Sequence, residues 1–343
     1  MSLLGFFAGP AIGVDVSARW IAAVQAKAGM LRPWIEAGVC VERTGSGAPD
    51  AAELRRFAGV LDRHGFRGSS VVLAASDVSL MTAALELPPR YSGAPVEQLA
   101  RVELARTHKR DPESFELALW DVPSPARGGG EAGHYVAAAL PYADAEAMID
   151  AFAGAGLHVR AVDARSWALA RACAPAGASA GLSALLDLGE SCAVLALVQA
   201  GIVIYQRTVP EAALLDVRTQ LTGPMGLEPD VADYVLGGGS ETPATLTEQA
   251  RDAIDAYVEA IAGEARAAFD YLSRRAGDSG VDRLLVMGAG ARVPGMVEKL
   301  KGAIGVEATV VAPASVADAA PGLVEPSKDP RLTAALGLAI HGE

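Results

Sequence analysis

Asp15 and Asp187 are the residues whose type and spacing best suit chemistry. Each ends an apolar run (Ile12-Gly13-Val14-Asp15 and Leu185-Leu186-Asp187), and each is followed at the same offset by a turn glycine, Gly29 or Gly201. The two lie half of the 343-residue chain apart. Residues 12–31 and 185–204 therefore read as two copies of one strand–turn–strand unit, and a half-chain period marks a duplicated domain. Opposed hairpins of this kind form a clamp. Backbone N–H groups of the turns cradle phosphate oxygens while the carboxylates hold a hydrated Mg2+. The competing reading is a pair of ordinary hairpins that each carry an aspartate.

Three stretches can touch a nucleotide. In Asp187-Leu188-Gly189-Glu190-Ser191, Gly189 lets the backbone approach an anion and Ser191 can donate to it. Asp15-Val16-Ser17-Ala18-Arg19 is the weaker twin: serine replaces the glycine, and Arg19 supplies a positive charge. The third, Val286-Met287-Gly288-Ala289-Gly290, is a strand entering a glycine turn, with Pro294 opening the next helix. Its glycine spacing with Gly295 is not G-x-G-x-x-G, so plain turn geometry competes with a binding role. The chain has no G-x-x-x-x-G-K-[ST] loop, G-x-S-x-G elbow, H-E-x-x-H helix or C-x-x-C pair. P-loop, hydrolase-elbow and zinc chemistry are thereby excluded as readings.

Composition sets wider bounds. Hydrophobic residues make up 51%, charged residues only 20%, and mean hydropathy is +0.26, which describes a fully folded chain long enough for two cores. The 41 acidic against 29 basic residues give a net charge of −12, so no nucleic-acid partner is expected. Three scattered cysteines, Cys40, Cys173 and Cys192, suit a reducing compartment. The five histidines have no ligand spacing. No run reaches membrane-span length; the most apolar, residues 192–204, is broken by Gln199 and a turn. The greasy tip at residues 2–7 lacks a basic n-region, and it either packs on its own domain or touches a membrane or partner.

The elements that must position these residues follow from periodicity. Strands are expected at 12–16, 21–26 and 34–41, then a helix at 51–64 with Leu54, Phe57, Ala58 and Leu61 on one face, then a strand at 71–75. This β-β-β-α-β order departs from strict doubly wound alternation. Residues 80–87, a helix near 95–107, strands near 115–122 and 135–140, a helix at 143–155 and a strand at 157–162 suggest a small inserted α+β unit. The proline- and glycine-rich stretch 123–133 is its hairpin tip. The small-residue stretch 175–181 is the best boundary. Beyond it the strand pattern repeats, with helices at 211–221 and 230–236, a Gly237-Gly238-Gly239 break, and a long amphipathic helix at 247–275. The expected division is 1–87 for a first lobe, 88–162 for the insert, 163–180 for the return and linker, and 181–343 for a second lobe whose last helix turns back toward the first.

In this order the elements resemble the actin-like ATPase superfamily, and within it the PilM-type type IV pilus assembly proteins, relatives of the cell-division actin FtsA. Residues 11–24 are similar to the family's first phosphate hairpin and 185–209 to its second. Residues 261–271 and 281–295 resemble its adenosine-binding region, and 334–339 its closing helix. The resemblance implies an α/β, ribonuclease H-like duplicated two-lobe fold with a small α+β insert. It implies ATP and Mg2+ as cofactors, with Asp15, Ser17, Ala18, Arg19, Asp187, Gly189, Glu190, Ser191, Glu264, Gly288, Ala289, Gly290 and Arg292 around the nucleotide. Asp15 and Asp187 would hold Mg2+ through water. It also implies a cytoplasmic protein, peripheral to the inner membrane. Such a protein grips the cytoplasmic tail of a PilN-type membrane protein between the first lobe and the insert, and other pilus platform proteins are further possible partners.

Several positions depart from the family pattern. Ser17 and Ala22 stand where glycine and lysine are usual, Ala267 and Ala268 where basic and hydroxyl residues are, and residues 210–214 lack the double glycine. A missing lysine removes a charge-assisted hydrogen bond to phosphate, worth about 1.5–3 kcal/mol. Together the departures imply weak nucleotide binding or none. The readings in order are an interaction scaffold of the pilus platform, a component of a related type II secretion or pilus-like system with a degenerate site, and a slow Mg-ATPase of cell-division actin type. A substrate-level kinase comes last.

Overall fold

Five strands of one half and five of the other repeat a single topology. The computed structural model describes residues 10–27, 31–45, 47–122, 132–176, 181–237, 244–276 and 280–342. The tip at 2–7, Gly29, most of the hairpin tip, part of the linker, and Gly238 and Gly239 of the glycine break lie outside these residues.

The first lobe comprises β1 (Ile12–Val16), β2 (Trp20–Lys27), β3 (Trp34–Glu42), α1 (Ala51–Arg63) and β4 (Ser70–Ala74). The insert follows with β5 (Met81–Leu87), α2 (Val96–His108), β6 (Phe115–Asp121) and β7 (Gly133–Pro141). The chain returns through α3 (Tyr142–Ala153), β8 (His158–Asp163) and α4 (Arg165–Cys173). The second lobe has β9 (Leu182–Leu188), β10 (Ala193–Gln199), β11 (Ile202–Val209), α5 (Leu214–Thr222), α6 (Pro229–Leu236), α7 (Ala244–Ala276), β12 (Val281–Met287), α8 (Met296–Ile304) and β13 (Ala308–Val310). It ends with α9 (Pro313–Val316), β14 (Asp318–Ala319) and α10 (Thr333–Ala339).

The sheet orders are β14-β3-β2-β1-β4-β8 and β11-β10-β9-β12-β13. In each, an antiparallel three-strand meander continues into two parallel strands, so β1 and β9 hold equivalent central places. The half-chain period is thus a duplication of structure, and Asp15 and Asp187 occupy matching strands. Central strands buried on both faces need continuous apolar runs. Leu182–Leu188 is buried at every position, Asp187 included. In α1, Leu54, Phe57 and Leu61 face the first sheet, and the Asp50 carboxylate accepts from the Glu53 N–H to cap the helix.

The insert begins and ends earlier than the division at 88 and 162. Strand β5 pairs with β7 in a three-stranded sheet ordered β5-β7-β6, and β8 pairs with β4 in the first sheet. Burial explains both shifts. Met81 joins Leu104 and Phe115 in the insert's own core, whereas Phe152 and Leu157 join Ile12, Phe57 and Val71 of the first lobe. The inserted unit is therefore 81–141.

Helices α4 and α10 lie between the lobes. Leu169, Ala170 and Cys173 of α4 and Ala334, Ala335 and Leu336 of α10 share one buried cluster with Ala22 and Val24 of β2 and with Leu185, Val198 and Met287 of the second sheet. The chain end also closes on the first lobe, where β14 pairs in parallel with β3. One apolar core thus runs across both halves and fixes the two aspartates on a common floor.

Candidate functional site

Asp15 and Asp187 do share a cavity. Its lining includes Ser17, Trp20, Gly189, Glu190, Gly288, Ala289 and Arg331, contributed by both lobes and the chain end. Between the two carboxylates sits a cation of the chain itself, the guanidinium of Arg165 at the start of α4. Its Nη2 lies 2.8 Å from Asp15 Oδ1, its Nη1 3.4 Å from Asp187 Oδ2, and its Nε 3.2 Å from Asp77 Oδ2 in the loop after β4. All four side chains are less than 10% exposed. Only the Asp187 contact has hydrogen-bond alignment; the other two are ion pairs by proximity.

One guanidinium does not neutralise three buried carboxylates. Burial, with the charges of Asp187 and Asp77, pushes Asp15 up to about 6 against the pull of Arg165. Burial raises Asp77 too, again opposed by Arg165. For Arg165 burial works against the charge, but the three carboxylates win and its pKa rises. The sign for stability follows. A carboxyl whose native pKa lies above its unfolded value of 3.8 stabilises the fold in acid and loses that contribution as pH rises through about 6. Asp15 ionisation is therefore expected to remove up to roughly 3 kcal/mol between about pH 4 and pH 7. Urea-denaturation midpoints of the parent and Asp15→Asn, compared at roughly pH 5 and pH 7.5, should show the parent losing ground and the variant a flatter profile.

Side chains from both lobes narrow the cavity. Trp20 Nε1 donates to Glu190 Oε1 across the lobes at 2.9 Å, and the Arg331 guanidinium stacks 4.1 Å from the Trp20 ring centre. Beside it Arg19 makes a bidentate pair with Asp233 of α6 at 2.7 and 2.8 Å, and Arg218 of α5 binds the same carboxylate. Despite partial burial, these two guanidiniums hold Asp233 below the usual carboxylate range. The space left measures about 30 Å3, room for roughly one or two waters. Gly288, at φ 84°, lies so close to Asp187 that an added Cβ would overlap the carboxylate.

The expected site residues divide. Asp15, Ser17, Asp187, Gly189, Glu190, Gly288 and Ala289 line the cavity. Ala18 turns its carbonyl to Arg43, and Arg19 is taken by Asp233 and Glu42 rather than left for phosphate. Ser191 and Arg292 are exposed and outside the lining. Gly290 is buried against Leu188 and Tyr257, and Glu264 pairs with Arg207 on the face of α7. Asp15 and Asp187, the residues expected to hold Mg2+ through water, each have an ion-pair contact with Arg165. Among the described residues no cluster of three metal-ligating side chains has the geometry for a metal ion. With the Arg165 guanidinium between Asp15 and Asp187, the position expected for Mg2+ already holds a cation of the chain.

Arg165, Asp77, Trp20 and Arg331 were not legible as site residues. One signal pointed to Arg165: a cation in the first turn of an apolar helix opposes the helix dipole, and Ala164 offers no side-chain cap.

The profile of the family described as type IV pilus assembly protein PilM matches residues 57–343. No curated protein matches the chain in sequence. Among solved structures, a PilM-PilN type IV pilus biogenesis complex is 20% identical, with TM-score 0.79 over 97% of this chain and 98% of that one. The ethanolamine utilization protein EutJ from Carboxydothermus hydrogenoformans is 16% identical, with TM-score 0.56 over 97% and 89%. These likenesses carry the actin-like fold, and the profile match carries more: the chain belongs to the type IV pilus assembly PilM family.

Proposed function

We propose that the protein is a cytoplasmic scaffold of the inner-membrane type IV pilus platform, and that it grips the short cytoplasmic tail of a PilN-type membrane protein. The observation that carries this reading is the family match, reinforced by an actin-like likeness that extends over the insert as well as both lobes. Among the described residues no helix is long and apolar enough to cross a membrane, so in this reading the tail of the partner supplies the attachment.

In this reading the docking face lies where the insert meets the first lobe. There α3 turns Phe152 into the lobe's core and leaves Tyr142 and Ile149, two turns apart on one face, 41% and 40% exposed. The Tyr142 hydroxyl reaches Glu116 of β6, which ties this face to the insert. Apolar anchors beside an exposed strand suit an extended peptide. A Tyr142→Ala/Ile149→Ser variant of the full chain is expected to bind a synthetic tail peptide at least about tenfold more weakly, the scale of losing one or two interface anchors. Unchanged affinity in a folded variant would move the groove elsewhere.

A further inference from the structure

We propose that Arg165 is the resident cation of the interlobe cleft, so that the lobes close on a guanidinium of the chain itself and the site takes neither Mg2+ nor a nucleoside triphosphate. This concerns the cleft alone and stands apart from the tail-binding reading; either can fail without the other.

Position carries the first part of the argument. Asp15 and Asp187 come from the equivalent central strands of the two sheets, and Asp77 from the loop after β4. The guanidinium reaches all three within 3.4 Å while almost fully buried. A divalent ion seated between Asp15 and Asp187 would have to displace it, placing an unpaired guanidinium and a metal in one buried space.

On the phosphate side, groups of the first turn already have partners. In the turn between β1 and β2 the donors of Ser17 are already engaged: its N–H and Oγ both donate to the Trp20 carbonyl, and its Oγ accepts from the Trp20 N–H. The Arg19 fork is held by Asp233. With Glu190 added, the cavity lining sets three carboxylates against Arg165 and Arg331, while Asp77 also pairs with Arg165 and Arg331 with Asp329. That balance repels a polyanion.

The test uses the full chain, stripped with EDTA and then given millimolar Mg2+, Mn2+ or MgATP. Thermal unfolding and titration calorimetry are the readouts. The parent is expected to show no heat of binding and a Tm shift within about 1 °C, whereas a ligand held at a hundred times its Kd would raise Tm by roughly 4 °C. A parent that responds to MgATP or to either metal overturns the proposal. Arg165→Ala, with its carboxylates freed, is expected to gain a Tm rise with Mn2+; a folded Arg165→Ala that gains none counts against Arg165 as the metal's replacement. Should Arg165→Ala fail to fold, Arg165→Lys keeps a cation in place. It is expected to fold and stay insensitive to metal, and a metal response from it overturns the proposal.

Discussion

Replacing Arg165 with alanine is expected to destabilise the protein by about 3–5 kcal/mol, the range for removing one partner of a buried ion pair. The loss comes less from missing attraction than from what stays behind. Asp15, Asp77 and Asp187 would remain buried with no counter-charge, and a buried carboxylate without a partner either protonates or draws in water. Arg165→Lys should lose less, because one ammonium keeps the charge but cannot reach three carboxylates in the fork geometry of a guanidinium. Adding Asp15→Asn to Arg165→Ala should recover part of the loss, since one of the uncompensated charges is gone. Urea midpoints of the three variants and the parent check this, and equal midpoints for Arg165→Ala and the parent would mean that the cluster holds nothing together.

A comparable loss is expected at two glycines where backbones meet between the lobes. A Cβ on Gly337 of α10 would overlap the Ala168 carbonyl of α4, and one on Gly13 of β1 would overlap the Ala335 oxygen and the Ala339 nitrogen of α10. The obstructing atoms are backbone on each side, so no rotamer change relieves them. Helix propensity favours alanine over Gly337 by about 1 kcal/mol. Overpacking of this severity costs about 3 kcal/mol or more, and the steric effect wins. Gly337→Ala and Gly13→Ala should therefore lower Tm or prevent soluble accumulation. Gly263→Ala serves as the contrast. Gly263 lies mid-helix in α7 with nothing near its missing Cβ, so that change should be neutral or stabilise by about 0.5–1 kcal/mol. Thermal unfolding of the three variants separates the two effects by sign.

The duplicated design was legible because it is local. Apolar runs ending in Asp15 and Asp187, at matching offsets from a turn glycine, mark the two central strands, and sheet pairing follows from hairpin order. The edges of the insert were not legible. A run such as Met81–Leu87 is a strand in any setting, and only the cluster with Leu104 and Phe115 decides which sheet receives it. Arg19 had the charge for phosphate and was claimed by Asp233, more than two hundred residues further along the chain. Arg165 stayed hidden for a similar reason: its three carboxylates come from positions 15, 77 and 187, and no window of sequence contains them together. Residue types and turn geometry identify a clamp; the long-range ion pairs determine what it holds.

The most direct test of the account is a titration of the full chain against a fluorescent peptide carrying the cytoplasmic tail of a PilN-type membrane protein, with no nucleotide present. The prediction is saturable binding whose Kd is the same with and without millimolar MgATP. Absence of saturable binding, or binding that appears only once MgATP is added, would contradict a scaffold whose cleft is closed by its own arginine.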